Sequence, residues 1–379
     1  MSRASSQENG YLVFIPALVL MAIGAAVVYS ASAFISADST MYLRKHLIWI
    51  FVGLVCIGIF SRIDYHFFND KMLYIAIGTL VLLGLVLIFG KSVLGAKRWF
   101  RLAGLSFQPS ELAKFVMILY FASYFDRHKS TITDLTKMWP LLSVWVGTMG
   151  LILLEPDLGT PMLICFTGVI LLYVAGLPKK VLMIVGSVAV IAGLAALISK
   201  PYRVMRVLSF IGILFGNTQG VDLKTGYQLD QALCAVGSGG LLGRGLGKSV
   251  LRYAFLPERH TDFIFPIFAE EMGLLGSLMI LLLFISIAYG GWKIAIEAKD
   301  AFGQLVAVGV TVSIVFQALF NLAVVTGCAP TKGLPLPFIS FGGTSLAITC
   351  CMVGILLNIS GWESKKKKGL ALSARGRRW

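Results

Sequence analysis

Charge is what this 379-residue chain has least of: 13% of its residues are Asp, Glu, Lys or Arg, about half the share of an ordinary soluble chain. Acid is the scarcer sign, with 18 Asp and Glu against 33 Lys and Arg. So few charges cannot clothe a water-soluble protein of this length. Nor can 57% apolar residues, at a mean hydropathy of +0.84, all be packed into one core. A soluble fold is excluded, and lipid is the solvent for most of the chain. Histidine is also scarce, and His46, His66, His128 and His260 are too scattered for a His-rich zinc site. The six cysteines show no metal or disulfide spacing. Four of them lie in apolar runs, which leaves open only a bridge between Cys234 and Cys328. The net charge of +15 would suggest nucleic acid in a soluble protein. Here there is no soluble domain to present a binding face, so no nucleic-acid partner is expected.

What is present is a series of apolar runs, at roughly 12–35, 46–60, 72–89, 110–125, 139–154, 160–177, 181–198, 264–290, 302–326 and 339–361. Most approach the ~20 residues a helix needs to cross the hydrocarbon. They predict an all-α polytopic membrane protein of about ten transmembrane helices, the fourth and fifth short. Residues 1–361 read as one membrane domain and 362–379 as a basic tail. In the first run Ala31-Ser32-Ala33 imitates a cleavage site, but the apolar stretch exceeds the ~7–15 residues of a signal core. It reads as an uncleaved span. Arg62 and Lys71, then Arg127, Lys129 and Lys137, Lys179 and Lys180, and Lys293 and Lys299 all fall on one side of the membrane. The positive-inside rule makes that side, and both termini, cytoplasmic. Lys365 to Lys368 then serve as an anchor to anionic membrane lipid.

Two outer connections carry base against that rule. The short one, 91–107, holds Lys91, Lys97, Arg98 and Arg101 with no acid. The other, 199–263, is a large extracytoplasmic loop between spans seven and eight, rich in Lys and Arg. Base on the wrong side points to an anionic ligand or to outer-leaflet phosphates. The large loop opens with Arg203 and Arg206 on one side of an apolar stretch, the pattern of an interfacial helix. A glycine-dense stretch follows. Its Gly247-Lys248-Ser249 imitates a phosphate loop, but Leu242 stands where the first glycine belongs, which excludes ATP binding of that type. The glycines either cradle a phosphate or permit tight turns. Asp262 ends the loop, where Phe263-Ile264-Phe265 begins the next span. A carboxylate half-buried there loses hydration, which raises its proton affinity toward that of a general base. The alternative is a helix N-cap facing water. Other charges lie at membrane depth: Glu270 and Glu271, Glu111 and Lys114 three apart on one helix face, and Glu155 and Asp157 around Pro156. Such groups turn to a cavity or a partner, and either a catalytic cleft or a transport path would serve.

The stretches GAKRWFRL, Gln108 to Lys114, EPDLGT, YQLDQALCAVGSGG with GRGLGKS, LPERHTDFIFPIFAEEMG and GLPLPFISFGGTS run in order from the first span to the last. Together they resemble the SEDS family of FtsW-, RodA- and SpoVE-like proteins, with Thr331-Lys332-Gly333 more like its FtsW branch. The resemblance implies a peptidoglycan glycosyltransferase of the bacterial cytoplasmic (inner) membrane. Such an enzyme polymerises lipid II at the outer face, here in cell division at the septum. The implied partners are a class B penicillin-binding protein transpeptidase and other divisome proteins. The aspartate of the family's HTDF motif, its catalytic base, matches Asp262. The substrate contacts implied are Lys97, Arg98, Arg101, Glu111, Lys114, Gln228, Ser238 and His260, the basic outer-loop residues stabilising the pyrophosphate leaving group. No cofactor or dedicated metal cage is implied, though a divalent cation, Mg or Mn, would suit the leaving group. The chain departs from family habit at Lys97, where arginine is common, at Arg259, where alanine is frequent, and at Phe341, where tyrosine is usual. A lipid II flippase and a non-catalytic divisome scaffold are the rival functions. The clustering of motifs toward the outer face favours the enzyme.

Overall fold

A computed structural model of the chain describes residues 3–32, 40–93, 96–102, 105–128, 137–215, 223–249, 261–331 and 333–375. Its helices are α1 (Arg3–Ser32), α2 (Met41–Phe60), α3 (His66–Phe89), α4 (Pro109–Arg127), α5 (Trp139–Leu154) and α6 (Gly159–Val174). They continue with α7 (Lys179–Ile198), α8 (Pro201–Leu214), α9 (Leu223–Ser238), α10 (Ile264–Glu297), α11 (Ala301–Val325) and α12 (Gly343–Arg375). All but α8 and α9 coincide with the ten apolar runs. Seven are long and apolar enough to cross a membrane, while α5 and α6 are shorter, at 16 residues each. The chain is a polytopic helical membrane protein.

The fourth run escapes the lipid requirement because of where it sits. From Pro109 to Phe125 every residue of α4 but Leu112 is buried, packed against α3, α6 and α11. Its Glu111 and Lys114 therefore meet protein rather than hydrocarbon. The seventh run is the opposite case: no residue of α7 is buried, and its apolar side chains face lipid on the flank of the bundle. Helix α1 packs along α10 and α12, burying Val13, Ala17, Leu20, Met21 and Val28.

The short basic connection is an antiparallel sheet in the order β1 (Lys91–Val93), β2 (Ala96–Leu102), β3 (Leu105–Phe107). Lys91 pairs with Trp99, and Phe100 with Phe107. Nothing in the hydrophobic pattern had marked strands there. The sheet is fastened to the start of α12 by Thr344, whose Oγ1 donates to Ser106 O at 2.8 Å and accepts from Gln108 N at 3.3 Å. The large loop contains α8 and α9. In α8, Arg206 is exposed as expected, but Arg203 is buried and turns back to the end of α7. It donates to Ala196 O at 2.6 Å and Ser199 Oγ at 3.4 Å, a cation satisfying one orphan carbonyl at a helix C-terminus. Cys234 and Cys328 are both exposed free thiols, so the bridge between them is not formed.

Candidate functional site

Asp262 stands in the turn that leads into α10. The helix N-cap is Phe263, with no side-chain cap bond, so Asp262 is not used as the cap. Its carboxylate lies against the 331–341 segment that joins α11 to α12: a Cβ added at Gly333 would sit 2.5 Å from Asp262 Oδ2. The backbone on either side is pinned. Ser340 Oγ donates to Thr261 O at 2.6 Å. Asn321 Nδ2 donates to Asp262 O at 3.0 Å and to Leu334 O at 2.7 Å.

A second chain of contacts reaches the same segment from α4. Lys114 Nζ pairs with Glu111 Oε2 at 2.7 Å, the two side chains only 3% and 4% exposed. Lys114 Nζ also donates to Gln317 Oε1 at 2.9 Å, and Gln317 Nε2 donates to Pro335 O at 2.7 Å. The buried ion pair thus grips a position two residues from the glycine beside Asp262. Gln317 and Asn321 were not singled out from the sequence. Their signal was there, as two amides four apart on one face of an otherwise apolar run.

The basic residues of the sheet do not converge. Strand alternation puts Lys97 and Arg101 on one side of β2 and Arg98 on the other. Lys97 and Arg101 are exposed, and Lys97 Nζ donates to Ile88 O at 3.3 Å. Arg98 is turned to the α5–α6 turn, where it donates to the carbonyls of Glu155 and Pro156. Glu155 is completely buried, and among the described residues neither of its carboxylate oxygens has a hydrogen-bond partner. Burial first, then the neighbouring Asp157, push its pKa up to about 8, against the opposing pull of Arg98. Asp157, one residue before the α6 N-cap Leu158, accepts from Gly159 N at 2.9 Å and from Thr160 Oγ1 at 2.7 Å. Gly159 packs in turn on Leu334. Of the remaining expected contacts, Gln228 is half-buried on α9. Ser238, also on α9, is exposed and donates back to Ala235 O at 3.0 Å. His260 lies outside the described residues.

The glycine-dense stretch does turn tightly, with positive φ at Gly240, Gly243, Gly245 and Gly247, and its turns have a further use. Helix α10 is broken at Gly273, with φ 66° and ψ −161°. In an unbroken helix the N–H groups of Leu274 and Leu275 would reach the carbonyls of Glu270 and Glu271. Here they bond Gly240 O at 2.9 Å and Leu241 O at 3.2 Å instead. The two abandoned carbonyls accept from Arg244 N at 3.0 Å and Gly245 N at 2.9 Å. The loop backbone is inserted into the helix at the break. Only glycine permits this approach: a Cβ at Gly243 would come within 2.1 Å of Glu271 O, and one at Gly239 within 2.2 Å of Ala269 O. The two acids at the break also grip protein. Glu270 accepts from Ser249 Oγ at 2.5 Å and pairs with Arg244 Nη1 at 3.3 Å, and Glu271 accepts from Ser30 of α1.

Stretches far apart in sequence therefore meet around residues 331–341 and the first half of α10, and comparison with known proteins identifies the pattern. Residues 11–365 match the FtsW/RodA/SpoVE family, described as cell cycle proteins. The chain belongs to this family. It is 34% identical to a probable peptidoglycan glycosyltransferase FtsW of Geobacter sp. (strain M18), over 93% of this chain and 97% of that one. A Coxiella burnetii protein of the same name is 38% identical, over 90% of this chain and 94% of its own length. Stage V sporulation protein E of Bacillus subtilis is 35% identical, over 93% and 97%. Among solved structures, a chain from a peptidoglycan synthase complex, studied for its coordination of polymerization and crosslinking, superimposes with a TM-score of 0.75. It is 26% identical and is matched over 91% of this chain and 96% of that one. The rod shape determining protein RodA of Thermus thermophilus gives a TM-score of 0.67 at 26% identity, over 93% and 96%. Like these FtsW/RodA/SpoVE relatives, the chain is a multi-pass membrane protein. Among its described residues no group of three or more His, Cys, Asp or Glu is arranged to hold a metal ion.

Proposed function

We propose that this chain is a peptidoglycan glycosyltransferase that polymerises lipid II at the outer face of the bacterial cytoplasmic membrane. The observation that carries the reading is the Asp262 carboxylate set against Gly333, with the backbone pinned at Thr261 and Asp262. A carboxylate held this way suits a general base. It takes the proton of a sugar 4-hydroxyl as that oxygen attacks the anomeric carbon of a second lipid II. The bond from that carbon to the pyrophosphate breaks, its electron pair leaves with the diphosphate, and the centre inverts. Lys97 and Arg101, on the exposed side of β2, are the cations available to the leaving diphosphate. Arg98 acts indirectly, by fastening β2 to the α5–α6 turn. The Glu111–Lys114 pair supports the 331–341 segment through Gln317.

Relatives named FtsW support a role in cell division. The likeness to a chain of a peptidoglycan synthase complex supports a class B penicillin-binding protein as partner. A flippase reading leaned on the charges inside the bundle. Glu270, Glu271 and Lys114 each grip a protein group, which favours the enzyme. The test is the purified chain in proteoliposomes, given lipid II from outside. Glycan strands are expected. Passage of lipid II across the bilayer with no strands formed would overturn the reading.

A further inference from the structure

The break in α10 leaves Asp262 at the tip of a short piece. From Ile264 to Met272 the helix makes about two and a half turns before Gly273 interrupts it. So short a helix is not self-sufficient, and its backbone ladder does not continue into the long half. Besides the burial of Ile264 to Glu271 and the pins at Thr261 and Asp262, it is tied to the 239–249 loop through the four inserted backbone bonds and through one side-chain cluster. That cluster centres on Glu270, 2% exposed, gripping Ser249 and Arg244. The six helical steps from Ile264 to Glu270, at 1.5 Å each, put Glu270 about 9 Å along the axis beyond the start of α10, too far to touch a group reacting at Asp262.

We infer that Glu270 is a positioning residue: by clamping the short first half of α10 to the glycine loop, it sets where the Asp262 carboxylate stands. This rests on Asp262 acting as the base, as proposed above. The clamp is built from an acid whose own oxygens are used by the loop. Its effect on the reaction travels through the placement of nine residues of backbone, not through charge at the reacting atoms. It also accounts for glycine at 239, 243 and 273, since each makes room for the inserted backbone.

The experiment compares full-length wild type with Ser249→Ala, Glu270→Ala and Glu270→Gln in two measurements. In lipid II polymerisation, Glu270→Ala and Ser249→Ala are expected to lower kcat between about tenfold and a hundredfold, with KM unchanged. Glu270→Gln, which still accepts from Ser249, should recover part of the loss. In amide hydrogen exchange, residues 261–272 should exchange faster in Glu270→Ala while 274–297 keep wild-type protection. A variant whose folded fraction falls while kcat per folded molecule is unchanged would overturn the inference. So would wild-type exchange across 261–272 in Glu270→Ala. If wild type itself makes no glycan, the glycosyltransferase reading fails, and hydrogen exchange still decides the clamp.

Discussion

At the end of the bundle that holds Asp262, polar groups are buried with hydrogen bonds left unmade, whereas at the opposite end they answer one another. There Asn358 Nδ2 donates to Ser61 O at 2.8 Å while its Oδ1 accepts from Tyr65 N at 3.1 Å. Tyr65 also donates its hydroxyl to Asp300. Asp300 caps α11 by accepting from Gly303 N at 2.7 Å, and His66 lies between Asp64 at 2.8 Å and Asp300 at 3.7 Å. At the Asp262 end, by contrast, both oxygens of Glu155, Asn321 Oδ1 and Thr331 Oγ1 are buried with no hydrogen-bond partner among the described residues. Each such group costs about 1–3 kcal/mol of folding free energy. The difference teaches where stability was given up. Under the proposed function, the unmade bonds belong to the end that would receive the substrate, while the other end holds helices together.

The comparison can be broken by substitutions ranked on glycan polymerisation. The largest effect is expected from Gly333→Ala, whose Cβ would lie 2.5 Å from Asp262 Oδ2. The carboxylate is the part able to yield, so the fold should survive while the rate falls about a hundredfold; rates alongside thermal unfolding check this. Next comes Lys114→Met, which leaves Glu111 buried without its cation and cuts Gln317 loose. An uncompensated buried charge costs about 3–5 kcal/mol, so both stability and rate should drop in the same assays.

Glu155→Gln should act mainly on pH dependence. The folded pKa of about 8 lies above the ordinary 4.5, so the folded protein holds a proton that the unfolded chain releases between those values. Stability from this group is full below about 4.5 and is lost as pH rises through about 8. Thermal unfolding measured across that window should show a slope in wild type and a flatter profile in the variant. Tyr65→Phe, at the far end, should change the polymerisation rate least. It removes one hydrogen bond to Asp300, worth about 0.5–1.5 kcal/mol, and only the unfolding temperature should move. A rate loss there as large as that of Gly333→Ala would end the contrast between the two ends.

Much of the architecture was legible in the sequence because lipid writes plainly. The ten apolar runs each have their helix, and the i,i+3 spacing of Glu111 and Lys114 made the buried pair. Asp262 was marked by its place between a polar loop and an apolar run, and the structure adds its neighbour at Gly333. What stayed hidden depends on contacts between distant stretches. Glycines at 239 and 243 announce close approach but not to which backbone, and Gly273 sits in an apolar run that reads as one helix. The basic cluster of 97–101 suggested a single field, and only a strand, with its period of two, reveals that Arg98 points elsewhere.

The most direct test replaces the carboxylate at the centre of the account by its amide. Asp262→Asn keeps the size and the backbone pins at Thr261 and Asp262 but cannot take a proton. With both proteins purified to equal folded content and supplied with lipid II, wild type is predicted to make glycan strands and the variant to be slower by about 10²–10⁴. Equal rates would contradict the assignment of Asp262 as the base.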